Sequence, residues 1–162
     1  MINYLDIIIA SLITDVIFMF VFLVGIFKSK DLVNWYKKIG LGAVLSDVTI
    51  IMLGITGTIF LYPHIFKEYN LINFIILAVA IQISHDLIFG YIIKYIPTGN
   101  SNILNIFKSY VKNASFNAIK SDSAMIVSAI LIMTYIKDFS TDLKFYILVF
   151  TLYIMTYLLY SF

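Results

Sequence analysis

An all-helical transmembrane bundle of about five spans is the fold class that this sequence predicts, and three observations predict it. Hydrophobic residues fill 62% of the 162 positions and charged residues only 12%, about half the charged share of a soluble domain. Apolar runs of bilayer length recur along the whole chain. Lysines gather in the connections between those runs. The mean hydropathy of +0.99 agrees, and the length suits one integral membrane domain over residues 1–162 without a separate soluble domain.

Each element follows in order. The first span runs from about Tyr4 to Phe27; no basic stretch precedes it, so it reads as a retained helix rather than a cleaved signal peptide. Lys28 to Lys38 is a charged connection whose Trp35 and Tyr36 suit a membrane interface. The second span, Ile39 to Tyr62, holds Gly40, Gly42, Ala43, Gly54 and Gly57, small residues that let helix backbones approach closely. Pro63 is expected to stop it, with His64 as an interfacial turn residue. The third span, Leu71 to Ile96, ends at Pro97.

A longer polar connection follows. Within it Ile103, Phe107, Tyr110 and Val111 keep helical spacing, Asn100, Ser101 or Asn102 can cap, and Lys108 and Lys112 suit head groups. This predicts an amphipathic interfacial helix leading into a fourth span, Ser115 to Ile136. Thr98 to Asn102 reads as a loop, placed to serve as a lid. Lys137 to Asp142 is a turn, and Leu143 to Phe162 is a fifth span whose Tyr146, Tyr153, Tyr157 and Tyr160 read as a packing face or a lipid-facing belt.

Lysine placement orients the chain. Lys28, Lys30, Lys37, Lys38, Lys94, Lys108 and Lys112 fall on one side, against Lys67, Lys137 and Lys144 on the other. The richer side is expected to be cytoplasmic, with the N-terminus outside and the C-terminus inside. The formal glycosylation sequon at Asn113 then lies inside, where it is not used.

The most informative stretch is Ala78 to Lys94, apolar enough for a bilayer yet carrying Gln82, His85 and Asp86. Helical steps of three and four put these on one face, extended by Ala78 and Phe89. An ionisable group in hydrocarbon costs at least ~2.5 kcal/mol, so that face needs partners, water or a ligand. Asp47 lies about 12 Å from the inner edge of its span and Asp86 about 15 Å from the same edge of its own. Asp15 falls mid-span, and Lys120, Ser121 and Asp122 sit near the inner mouth of the fourth span. These groups are expected to meet.

Three chemistries fit such a cluster, each beside the plainer reading of a buried polar network that only fixes helix packing. The first is a proton or cation pathway through Asp15, Asp47, Gln82, His85, Asp86, Lys120 and Asp122, with Asp122 and Lys120 as an inner gate. The second is a divalent metal site at His85 with Asp86, Asp47 or Asp122, although no H-E-x-x-H spacing occurs. The third is acid and base catalysis on a lipid, which no catalytic motif supports.

Composition narrows the field further. All eleven basic residues are lysine and the net charge is +2, which leaves neither a basic field for nucleic acid nor an arginine fork for phosphate. The absence of cysteine removes disulfides, thiolate metal sites and a thiol nucleophile. Few spans per chain make a homo-oligomer in the lipid bilayer the expected assembly, with the Gly-rich second span or the Tyr-rich fifth as seam.

The segments SDVTIIMLG, QISHDLIFG, IPTGNSNILNIFKSY and SDSAMIV together resemble small multi-pass membrane proteins encoded by large DNA viruses and found in environmental sequences. The resemblance covers roughly the second to fourth spans. It implies a place in a viral or host-cell membrane and adds a structural virion role to the possibilities. A fainter resemblance is to a bacterial family of small membrane proteins with an aspartate in the first helix and Tyr-Asp-Leu in the third. Here the third-span residues are His85, Asp86 and Leu87, which departs from that pattern.

Overall fold

A computed structural model describes residues 3–26, 30–97, 99 and 101–162; the side chains at 30, 31, 102 and 109–117 lie outside the description. Lys28, Thr98 and Asn100, and the side chains of Lys30, Asn102, Tyr110, Val111, Lys112 and Asn113, therefore fall outside the described residues. The elements are α1 (Tyr4–Leu23), α2 (Lys30–Ile39), α3 (Leu41–Ile65), α4 (Leu71–Tyr95), α5 (Asn102–Ile136) and α6 (Thr141–Leu159). Five stretches are long and apolar enough to cross a membrane: α1, α3, α4, residues Ala118–Ile136 of α5, and α6.

Local chemistry sets the helix starts. Asn3 accepts from Leu5 N at 3.1 Å, Asn70 accepts from Ile72 N and Asn73 N at 2.8 and 3.2 Å, and Ser140 accepts from Leu143 N at 3.3 Å. Each side chain satisfies amide donors that a first helical turn leaves open. Gly40 joins α2 to α3 with φ at 61°, a left-handed conformation that glycine adopts without Cβ strain. This sharp joint lets α2 fold back onto the bundle.

Three sequence expectations need correction. Pro63 does not stop α3; it lies in the last turn, and the helix runs on to Ile65. A proline there removes a single hydrogen bond near an end that is about to fray. Trp35 and Tyr36 do not sit at an interface: both are buried, on a helix packed against α3 and α5. Lys108 does not serve only head groups, since its Nζ donates to the Ile96 carbonyl and ties the start of α5 to the end of α4. The amphipathic stretch and the fourth span form one uninterrupted helix, α5.

Helix α1 is central, packing against α3, α5 and α6, while α4 covers α3 and α5. One apolar core joins Ile9 of α1, Ile55 of α3, Ala78 of α4 and Ile126 and Ile130 of α5. A second, at the end that carries α2, gathers Met19, Phe22, Leu32, Trp35, Tyr36, Val44 and Met155. Tyr146, Tyr153 and Tyr157 on α6, and Tyr160 capping its end, are all exposed, where lipid would meet them.

The small residues of α3 act inside the chain at Gly54. A Cβ there would stand 2.7 Å from Ile126 Cδ1 and 3.5 Å from Gln82 Oε1, so this glycine sets how closely α3 approaches α5 and α4. A Cβ at Gly57 meets nothing within 4 Å. Gly54→Leu is expected to destabilise the detergent-solubilised protein by about 1–3 kcal/mol through overpacking, whereas Gly57→Ala stays within about 0.5 kcal/mol of the native chain. Thermal unfolding of the two variants checks this, and equal midpoints would refute the close-approach role of Gly54.

Candidate functional site

Two polar assemblies meet at the end of the bundle that carries α2. The first is a clamp on Tyr36: its Oη lies 2.7 Å from Asp15 Oδ1 of α1 and 2.8 Å from Asp47 Oδ2 of α3. Trp35 Nε1 donates to the same Asp47 carboxyl, 3.3 and 3.2 Å from its two oxygens. One phenol carries one proton and can donate to one carboxylate. The second short contact is satisfied when the other carboxyl carries its own proton and donates to the phenol oxygen. Burial, then the charges of Asp47 and Asp15, push the Tyr36 hydroxyl well above its usual range, so it remains a protonated donor.

The second assembly is the α4 face anticipated from helical spacing. Gln82 Nε2 donates to Asp86 Oδ1 at 2.8 Å, and His85 Nδ1 lies 3.2 Å from the same oxygen. His85 stacks on Phe89, ring centroids 5.7 Å apart and planes 12° from parallel. Gln82 is buried, while the His85 side chain keeps 41% of its surface open and Asp86 keeps 15%. The buried Asp86 Oδ2 has no hydrogen-bond partner among the described residues.

Between the assemblies lies a cavity of about 220 Å³. Asp47, Gln82, His85, Asp86 and Asp122 line it, together with Trp35, Tyr36 and Ser121. The structure thus brings five of the seven anticipated pathway residues to one void. Asp15 joins indirectly, through the Tyr36 hydroxyl. Lys120 does not line the cavity; it is exposed beside it on α5. The Ser121 hydroxyl is buried without a hydrogen-bond partner among the described residues. Asp122 likewise has neither a hydrogen bond nor an ion pair there, although it feels the charges of Asp86 and Asp47.

Metal ligation is a different matter. Among the described residues no group of three from His, Cys, Asp and Glu comes together to hold an ion. His85, Asp86, Asp47 and Asp122 share the cavity wall without converging on one point.

Sequence reasoning missed one charged pair. At the opposite end, Lys144 Nζ of α6 lies 2.7 Å from Asp6 Oδ1 of α1, and it also donates to the Lys137 carbonyl at 2.9 Å. Both partners are buried, at 6% and 1% exposure. The signal available was position: each lies within a turn or so of the start of its span, at the same end of the bundle. It missed the Trp35 and Tyr36 donors as well, for which Asp15 and Asp47 at matching depth were the available hint.

Tyr36→Phe is expected to cost about 1.5–3 kcal/mol, the value of hydrogen bonds to charged groups. The loss should shrink in an Asp15→Asn background, because the partner left stranded is then neutral. Denaturant unfolding followed by Trp35 emission measures both, and additive effects would refute the clamp. No protein-family model, curated protein or solved structure matches this chain.

Proposed function

We propose that this chain carries protons or monovalent cations across a membrane, using the acidic cavity beside α2 as its binding station. The observation that carries the reading is the cavity's mixture of satisfied and unsatisfied groups. A network that serves only packing closes on itself, because buried polar groups without partners are costly. Here Asp122, the second oxygen of Asp86 and the Ser121 hydroxyl are left without hydrogen-bond partners among the described residues, around a void of about 220 Å³. Asp47 and Asp86 are the principal carboxylates in this reading, and His85 is the imidazole beside Asp86. Asp122, with Lys120 beside it, guards the entrance.

The placement favours a carrier over an open pore. Beyond the cavity, toward the end that holds Asp6, the interior is filled by Ile55, Ala78, Ile126, Ala129 and Ile130, an apolar barrier to ions. Transit then requires α3, α4 and α5 to part there, as alternating access does. With the lysine-rich side in the cytoplasm, the cavity belongs to the cytoplasmic half.

A rival reading, a non-enzymatic membrane scaffold, draws on the Asp15–Tyr36–Asp47 clamp and the Asp6–Lys144 pair, both of which staple helices together. One experiment separates the two. In liposomes loaded with a pH-sensitive dye and challenged with a pH gradient and a series of monovalent cations, the native chain is expected to dissipate the gradient. Asp86→Asn and Asp122→Asn should fall to the rate of protein-free vesicles, while the exposed Asp142→Asn keeps native flux. A native chain that moves nothing refutes the carrier and leaves the scaffold.

A further inference from the structure

The cavity is walled by rings as much as by acids. Trp35 meets Phe107 edge to face with centroids 4.7 Å apart at 85°, and Phe107 meets Phe89 at 5.1 Å and 82°. All three line the void, as does Phe22. These rings come from α1, α2, α4 and the first turns of α5, so four elements converge to line the void with rings beside its polar groups. Ser121, 3% exposed and without a hydrogen-bond partner among the described residues, stands on that lining beside Asp122.

This composition discriminates between cations. A bare metal ion gives up its water only where several oxygens replace it, and among the described residues no three His, Cys, Asp or Glu side chains come together to hold one. Aromatic walls do nothing for that exchange. An ammonium head needs less: a carboxylate or two, a hydroxyl acceptor and the faces of neighbouring rings. An apolar body attached to it gains by leaving water against the same rings. Size limits that body, since a cavity of ~150 Å³ admits benzene and this one measures about 220 Å³.

We propose that the cavity binds a compact organic ammonium ion, its head beside Asp122, Asp86 and Ser121 and its apolar body against Trp35, Phe89 and Phe107. This rests on reading the cavity as the carrier's binding station and names the class of cargo.

Trp35 is the sole tryptophan of the chain and lines the cavity, so its emission reports occupancy directly. Purified full-length protein in detergent is titrated with benzylammonium, with the same-shaped neutral benzyl alcohol and anionic benzoate, and with potassium ion. Benzylammonium is expected to change Trp35 emission saturably and to bind about tenfold or more tightly than benzyl alcohol, with no response to benzoate or potassium. Asp122→Asn should weaken benzylammonium about tenfold, and Phe107→Leu about threefold through the lost ring face. Equal binding of benzyl alcohol, an equal response to potassium, or no response to benzylammonium overturns the proposal. The ligand series on the native chain decides this even where a variant fails to fold. Proton or potassium flux in liposomes without benzylammonium binding removes this inference and keeps the carrier; binding without any flux, benzylammonium included, does the reverse.

Discussion

Carboxylates held among apolar helices need donors, and that need arranges the half of the molecule that carries α2. Asp15 and Asp47 lie on different helices, and the Tyr36 hydroxyl stands between them at 2.7 and 2.8 Å. The phenol is on neither α1 nor α3. It arrives on a short helix that would otherwise lie at the membrane surface, and the Trp35 indole arrives with it. The apolar bodies of the two rings bury against Phe22, Val44 and Met155, so desolvation of the acids is offset by donors and ring burial together. Gly40 makes the approach possible, because its left-handed backbone turns α2 back toward α3 within a single residue.

Once α2 is docked, the cavity follows. Tyr36 and Trp35 bond Asp47 and line the void with it, and α4 and α5 add Asp86, Ser121 and Asp122 to the same lining. Phe107 holds the three elements in register, touching Trp35 of α2 and Phe89 of α4 from its place near the start of α5. Four spans bring acids to this end, and one pair of donors, the phenol and the indole, cannot serve them all. Asp15 and Asp47 take the phenol and the indole, Asp86 draws on Gln82 and His85 of its own helix through one oxygen, and Asp122 faces the void.

Much of this was legible in the sequence, for a reason specific to membranes. Gln82, His85 and Asp86 recur at three- and four-residue steps inside an apolar run, and hydrocarbon tolerates such a face only when it is turned inward. Helix rise puts Asp47 and Asp86 at similar depths and Asp122 near the same mouth, which made their meeting an expectation without fixing the faces they present. The role of α2 was not legible, because an aromatic pair next to lysines has the same pattern whether it rests at an interface or folds into a bundle. What separates the two is the acid pair on α1 and α3, a long-range partner that local patterning does not register. Lys144 was obscured likewise: one lysine a turn into a span looks like a head-group anchor until Asp6 is found opposite it. The continuity of α5 was written more plainly. Residues 102 to 136 contain neither glycine nor proline, so nothing in them breaks a helix.

The two ends of the bundle differ in how their charges are held, and the difference bears on which parts are fixed. Asp6 and Lys144 bind each other and Lys144 also binds a carbonyl, so separating α6 from α1 there would strand two buried charges. At the cavity end Asp86 is bonded by Gln82 and His85, both on α4 itself, and the tie from α5 to the end of α4 is the Lys108 bond to the Ile96 carbonyl. Burial follows the same division. Phe74, Ala78 and Gln82 anchor the first half of α4, whereas in the second half only Ile93 is fully covered and Leu87, Ile88, Tyr91 and Tyr95 are exposed. The half of α4 that supplies His85 and Asp86 is held by the Phe89–Phe107 ring contact, the burial of Ile93 and the Lys108 bond at its end. A cavity wall whose acid is bonded within one helix can shift without breaking the staples that keep the remaining helices in place.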